Sequence, residues 1–106
     1  MNFKVSTEFE IELKRLGKKY QSLKNDYSSF LDELKANPLM GVEVFKNCRK
    51  ARIAIKSKGK GKRGGGRIFF YFNISDDYIT LLYIYDKSET VNIDVSVIKE
   101  ILEKNL

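Results

Sequence analysis

Apolar positions fall first at helical and then at strand intervals along the chain. Phe9, Leu13, Leu16 and Tyr20 lie on one helical face, while Glu8, Glu12, Lys14 and Lys18 fall off it. Ser6 or Thr7 offers an N-cap, and Thr7 with Glu10 has capping-box spacing. Gly17 weakens the far end, where Lys18-Lys19 suits a last turn. A second helix begins near Ser22 and carries Leu23, Tyr27, Phe30, Leu31 and Leu34 on its apolar face. Asn37-Pro38 ends it, because the residue before a proline disfavours helical geometry. The short link between the two predicts an antiparallel helical hairpin. Ahead of it, Phe3 to Val5 reads as a short strand.

Beyond the turn at Pro38 to Gly41 the period changes. Ala51 to Lys56 alternates, with Ile53 and Ile55 on one face and Arg52 and Lys56 on the other. Arg67 to Ile74 and Tyr78 to Tyr85 are strands joined by a turn at Ser75-Asp76-Asp77. Both are apolar on two faces, which places them in the middle of a sheet with helices on at least one side. Asp94 to Leu106 returns to helical spacing, with Asp94 as N-cap and Val95, Ile98, Ile101 and Leu102 apolar. The expected fold is α+β in the order β-α-α-β-β-β-α. A small curved antiparallel sheet packs on an N-terminal helical hairpin, followed by a C-terminal helix. At 106 residues and 42% hydrophobic content, residues 1–106 make one domain. No apolar run approaches the ~20 residues that span a bilayer. The segment Met-Asn-Phe-Lys-Val-Ser lacks a secretory core, so no membrane association and a cytoplasmic location are expected.

Composition narrows the chemistry. There is no histidine and a single cysteine, Cys48. That removes intramolecular disulfides, the usual zinc sites and imidazole catalysis, and no metal or cofactor is expected. The net charge is +6, but its distribution says more. Ten basic residues and no acid lie between Lys46 and Arg67, so the remaining 84 residues carry a net −4. A mildly acidic domain with one cationic segment points to a polyanionic partner.

Five of the seven glycines lie in Ser57-Lys-Gly-Lys-Gly-Lys-Arg-Gly-Gly-Gly-Arg67. The segment is not a Walker A loop, because its glycines lead into a strand and no Gly-Lys-Ser/Thr occurs. It reads instead as a flexible hairpin loop for a nucleic-acid backbone, with Lys56, Lys58, Lys60, Lys62 and Arg63 supplying charge and the glycines exposing amides. Pairing around Asp76 sets Arg67 opposite Tyr85, Phe69 opposite Tyr83 and Tyr71 opposite Leu81, with Lys87 continuing the same parity. Arg52, Lys56, Arg67, Tyr71, Tyr85 and Lys87 would then surround one concave surface. Cations beside exposed tyrosines suit single-stranded RNA.

These residues carry a family resemblance. The chain resembles the RelE/ParE superfamily of bacterial toxin–antitoxin toxins, in its HigB-like branch. The likeness lies in Asn37-Pro38 with Gly41, in Arg49-Lys50-Ala51-Arg52, in the segment Ser57 to Arg67 with its strand Ile68 to Phe72, and in Leu81 to Glu89. It implies a RelE-like fold and a toxin that cleaves mRNA on the ribosome, silenced by a cognate antitoxin. By that likeness Lys50 and Arg52 match two basic residues at alternate strand positions, Arg67 the arginine that opens the next strand, and Lys87 a basic residue after the last. Ser88 stands where a further arginine is expected, and no tyrosine lies near Asn92 to Asp94 to match the family's late catalytic one.

The implied cleavage is attack of an RNA 2′-hydroxyl on the adjacent phosphate, which needs positioning, charge stabilisation and proton transfer. Arg52, Arg67 and Lys87 stabilise charge, Lys50 or Lys56 serves as a base crowded by cations, Glu89 competes for that role, and Tyr85 is the acid. Two alternatives stand beside it: a ParE-like gyrase inhibitor, and an RNA- or ribosome-binding module without catalysis.

Overall fold

The computed structural model describes all 106 residues. Strand β1 (Asn2–Val5) leads into α1 (Thr7–Lys19) and α2 (Leu23–Ala36). A hairpin of β2 (Val42–Phe45) and β3 (Cys48–Ile53) follows. A 3-10 turn at Lys56–Lys58 and a one-turn helix α3 (Gly61–Gly64) then lead to β4 (Gly66–Tyr71), β5 (Tyr78–Asp86) and the C-terminal helix α4 (Val95–Lys104). The class is α+β, as the periodicities predict. No helix is long and apolar enough to cross a membrane.

The five strands form one sheet in the order β1-β5-β4-β3-β2. All neighbours are antiparallel except β1, which joins β5 in parallel and makes the sheet mixed. Strand β2, whose Val-Glu-Val-Phe pattern follows the Gly41 turn, is an addition to the expected order. Gly41 takes a positive φ of 81°, and a Cβ there would collide with the Lys50 carbonyl, so the turn requires glycine.

Alternation along the strands divides the interior into two layers. Ile53, Ile68, Phe70, Leu81 and Ile84 pack with Phe9 and Leu16 of α1 and Phe30 and Leu34 of α2. On the opposite face Cys48, Phe69, Leu82 and Tyr85 pack with Ile98, Ile101 and Leu102 of α4. Helix α1 is capped by Ser6, not Thr7. The Ser6 hydroxyl accepts from Phe9 N at 2.9 Å and donates to the Leu82 carbonyl at 2.6 Å, tying the helix start to β5. Asp94 caps α4 as expected, accepting from Ser96 N.

The β4–β5 register follows the predicted pairing at Arg67–Tyr85 and Phe69–Tyr83, then shifts. Phe70 pairs with Leu81 and Tyr71 with Thr80, so Leu82 is an extra residue in β5. The expected Tyr71–Leu81 pair is corrected accordingly. The bulge turns Leu81 toward the helical hairpin and Leu82 toward α4.

Candidate nucleic-acid interface

Arg52, Arg67 and Tyr85 stand in one row across β3, β4 and β5, each pair in direct register. Neighbouring strands lie about 4.8 Å apart, so the row spans roughly 10 Å. Lys50 sits two residues along β3 on the same face, over the Phe69 ring, with its ammonium 3.3 Å from Asn92 Oδ1. Lys87, just past β5, donates from its backbone to the Gly65 carbonyl at 3.2 Å and from Nζ to the Arg63 carbonyl at 3.3 Å. Arg67 Nη2 donates to that same Arg63 carbonyl at 3.2 Å. Arg52, Arg67, Tyr85 and Lys87 therefore stand together as the parity argument expects, while Lys56 and Tyr71 stand apart from them.

Arg67 is only 9% exposed, and its guanidinium has no acidic partner. Its Nη1 donates to the carbonyls of Gly66 (2.9 Å) and Lys62 (3.4 Å). Burial and the facing Arg52 both push it below the ordinary guanidinium range. Its Nε has no protein acceptor, and every fully buried side-chain polar atom is satisfied, so Nε meets solvent. The same reasoning places the Tyr85 hydroxyl at the surface although its ring is buried. Burial pushes the Tyr85 phenol up, and Arg67 opposes only part of that.

A cleft of about 740 Å³ opens beside this row where β2 stops short of the end of β3. Lys50, Ala51, Arg52 and Arg67 line it together with Ala36, Asn37, Met40 and Val42. The Arg49 guanidinium holds the turn before β2, donating to the carbonyls of Met40 and Gly41 at 3.0 Å each. The one carboxylate of the cleft, Glu33, is paired with Lys62 at 2.7 Å. Of the ten basic side chains between Lys46 and Arg67, only Lys58 and Lys62 have an acidic partner. No group of three or more His, Cys, Asp or Glu side chains gathers as a metal site.

Other residues chosen from the sequence stand elsewhere. Lys58 is not available to a phosphate: its ammonium is buried against Asp86 at 2.5 Å and Ser88 Oγ at 3.0 Å. Asp86 also accepts from the Tyr20 hydroxyl and from Ser88 N and Oγ. Burial pushes its carboxyl up, but these bonds, led by Lys58, outweigh that and hold it well below the usual range. Glu89 is not placed as a base. Arg15 grips both its oxygens, at 2.7 and 3.1 Å, Lys19 adds a third contact, and the carboxyl falls to about 2. Tyr71 packs half-buried in the α4 layer, four residues or about 13 Å along β4 from Arg67. Lys56 lies past the end of β3, in the 3-10 turn and not on the strand expected over Ala51 to Lys56, and lines a smaller hollow with Asp26 and Ser29. Lys60, Lys62 and Arg63 are exposed on the turn.

The glycine segment is folded, not a loose hairpin loop. Gly59 and Gly61 take positive φ, and the amides of Gly59, Gly64 and Gly65 are spent on backbone carbonyls. Its carbonyls are the functional groups, because they hold Arg67 and Lys87. Sequence reasoning missed Asp86, although a lone acid on the inward parity of an apolar strand demands a buried partner. No family model matches the chain.

Proposed function

We propose that the protein is an endoribonuclease toxin that cleaves ribosome-bound mRNA in the cytoplasm, arrests translation and is silenced by a cognate antitoxin. One observation carries this reading: Lys50, Arg52 and Arg67 line one cleft, Tyr85 stands in register beside Arg67, Lys87 shares the Arg63 carbonyl with Arg67, and none of these cations has an acidic partner. The resemblance to RelE/ParE toxins supports it through the same residues. In the proposed reaction the RNA 2′-oxygen bonds to the adjacent phosphorus and the P–O5′ bond breaks, leaving a 2′,3′-cyclic phosphate and a 5′-hydroxyl. Arg52, Arg67 and Lys87 stabilise the charge that builds on the phosphorane. Tyr85, a neutral phenol that burial pushes further up, protonates the leaving 5′-oxygen. The proton lost from the 2′-hydroxyl passes to water or to ribosomal RNA.

The sequestration of Glu89 favours a second reading, RNA binding without cleavage. Brief induction without antitoxin, followed by mapping of new transcript 5′ ends, tests both. New 5′-hydroxyl ends that Arg52→Ala abolishes are expected. Intact transcripts in the presence of folded protein would leave only the binding reading.

A further inference from the structure

The cleft beside Arg52 has both cationic and uncharged lining residues. Arg52, Arg67 and Lys50 line it without an acidic partner, Glu33 and Lys62 line it as an ion pair, and the rest of its lining is uncharged, including Ala36, Asn37, Met40 and Val42. The uncharged part of the lining includes the end of α2, where acceptors are left over. Pro38 has no N–H for the Leu34 carbonyl, while Leu39 N donates to Asn37 Oδ1 and Met40 N to the Asn37 carbonyl. The carbonyls of Leu34, Lys35 and Ala36 therefore lack their helical donors. The negative end of the helix dipole disfavours a phosphate here and favours a neutral group with N–H donors. This lining suits a ligand with an anionic head and a neutral, hydrogen-bonding body.

We infer that this cleft is a base-binding subsite, in which one nucleotide sets its phosphate on Arg52 and Arg67 and its base between Ala36 and Val42, against Met40. The inference deepens the RNA-cleavage reading by assigning the selection of one base beside the scissile phosphate to α2 and the Pro38–Val42 turn. The test is binding to the full chain by calorimetry, with the four nucleoside 3′-monophosphates against ribose 5-phosphate and inorganic phosphate. Covering about 60 Å² of one base face makes at least one nucleotide about tenfold tighter than ribose 5-phosphate. Ala36→Phe fills the subsite from an exposed helical position, and Val42→Asp places a charge on its exposed rim. In both variants the preference for nucleotide over ribose 5-phosphate is expected to fall toward one. A preference near one in the wild type, or one that persists in both variants, overturns the inference. Cut transcripts without that preference would leave the nuclease without a base subsite. The preference in a protein that cuts nothing would leave the subsite standing and remove the nuclease.

Discussion

Replacing Lys58 by Met tests whether the Gly-rich turn is anchored by a buried ion pair. The substitution keeps the apolar stem and removes the ammonium that sits 2.5 Å from the fully buried Asp86. Breaking one side of such a pair costs about 3–5 kcal/mol, because the remaining charge stays in the interior. Ser88, Tyr20 and the more distant Lys19 at 3.7 Å still face Asp86, which sets the expectation near the lower end, ~3 kcal/mol. Against a total stability of about 5–15 kcal/mol this is a large fraction, read by urea denaturation. The pH dependence gives a second handle. Asp86 titrates below its unfolded value of about 3.9, so it adds stability above that pH and loses it as pH falls through the folded value. In Lys58→Met the carboxyl is pushed upward, so the gap between the two proteins is widest at neutral pH and narrows below about pH 4. Adding Asp86→Asn removes the orphaned charge and is expected to recover more than half of the loss. A gap under about 1 kcal/mol at neutral pH, or one that acid leaves unchanged, refutes the anchoring role.

Further outcomes follow from the same geometry. Arg52→Ala, exposed and unpartnered, is expected to cut transcript cleavage by about 10²-fold while shifting stability by no more than ~0.5 kcal/mol. Arg67→Ala also uncaps the Lys62, Arg63 and Gly66 carbonyls and costs about 1–3 kcal/mol, so only Arg52 separates function from folding in a melt. Tyr85→Phe keeps the buried ring, and its cleavage rate is expected to fall by about 10²–10⁴ if the hydroxyl is the acid; an unchanged rate removes it from the mechanism. Ser6→Ala removes the cap of α1 and its tie to β5, for about 1–2 kcal/mol in denaturant. Cys48, whose thiol burial pushes up to about 12, is expected to resist iodoacetamide at about pH 8 until the chain unfolds.

Local physics made much of this fold legible. Proline at 38, the cap at Asp94 and the period change after Gly41 each act within a few residues, and each element they predict is present, although β3 runs Cys48–Ile53 and not Ala51 to Lys56. The Arg67–Tyr85 register was legible because the β4–β5 turn and strand parity are local too. It failed past Phe69 because Leu81-Leu82-Tyr83 is apolar throughout, and no alternation announces which residue is the extra one. The parallel pairing of β1 with β5 joins residues 76 apart and leaves no local trace. Long-range partners decided the site in the same way. Lys58 reads as one more cation of its run, and only Asp86, 28 residues on, shows that it is structural. Glu89 reads as an acid beside the site, and only α1 shows that it is occupied.

The contrast between Lys58 and Arg67 bears on why the cationic row exists at all. Both charges are withdrawn from water, which costs free energy unless each is satisfied. For Lys58 the fold supplies a carboxylate, and the charge is neutralised. For Arg67 it supplies the carbonyls of Lys62, Arg63 and Gly66, which satisfy N–H groups and leave the positive charge whole. It then sets Arg52 directly opposite, an arrangement that is itself destabilising between neighbouring strands. A carboxylate at that position would relieve both costs, and it would also compete with any phosphate. Satisfying the donors without cancelling the charge keeps the guanidinium fixed and available to an anion. The compact glycine turn makes this possible: Gly65 and Gly66 run so close to the Ile53 and Tyr85 carbonyls that no side chain fits, and the turn's own carbonyls are delivered to Arg67 and Lys87. The glycines therefore serve an anion site by orienting a guanidinium and an ammonium, and not by offering their own amides.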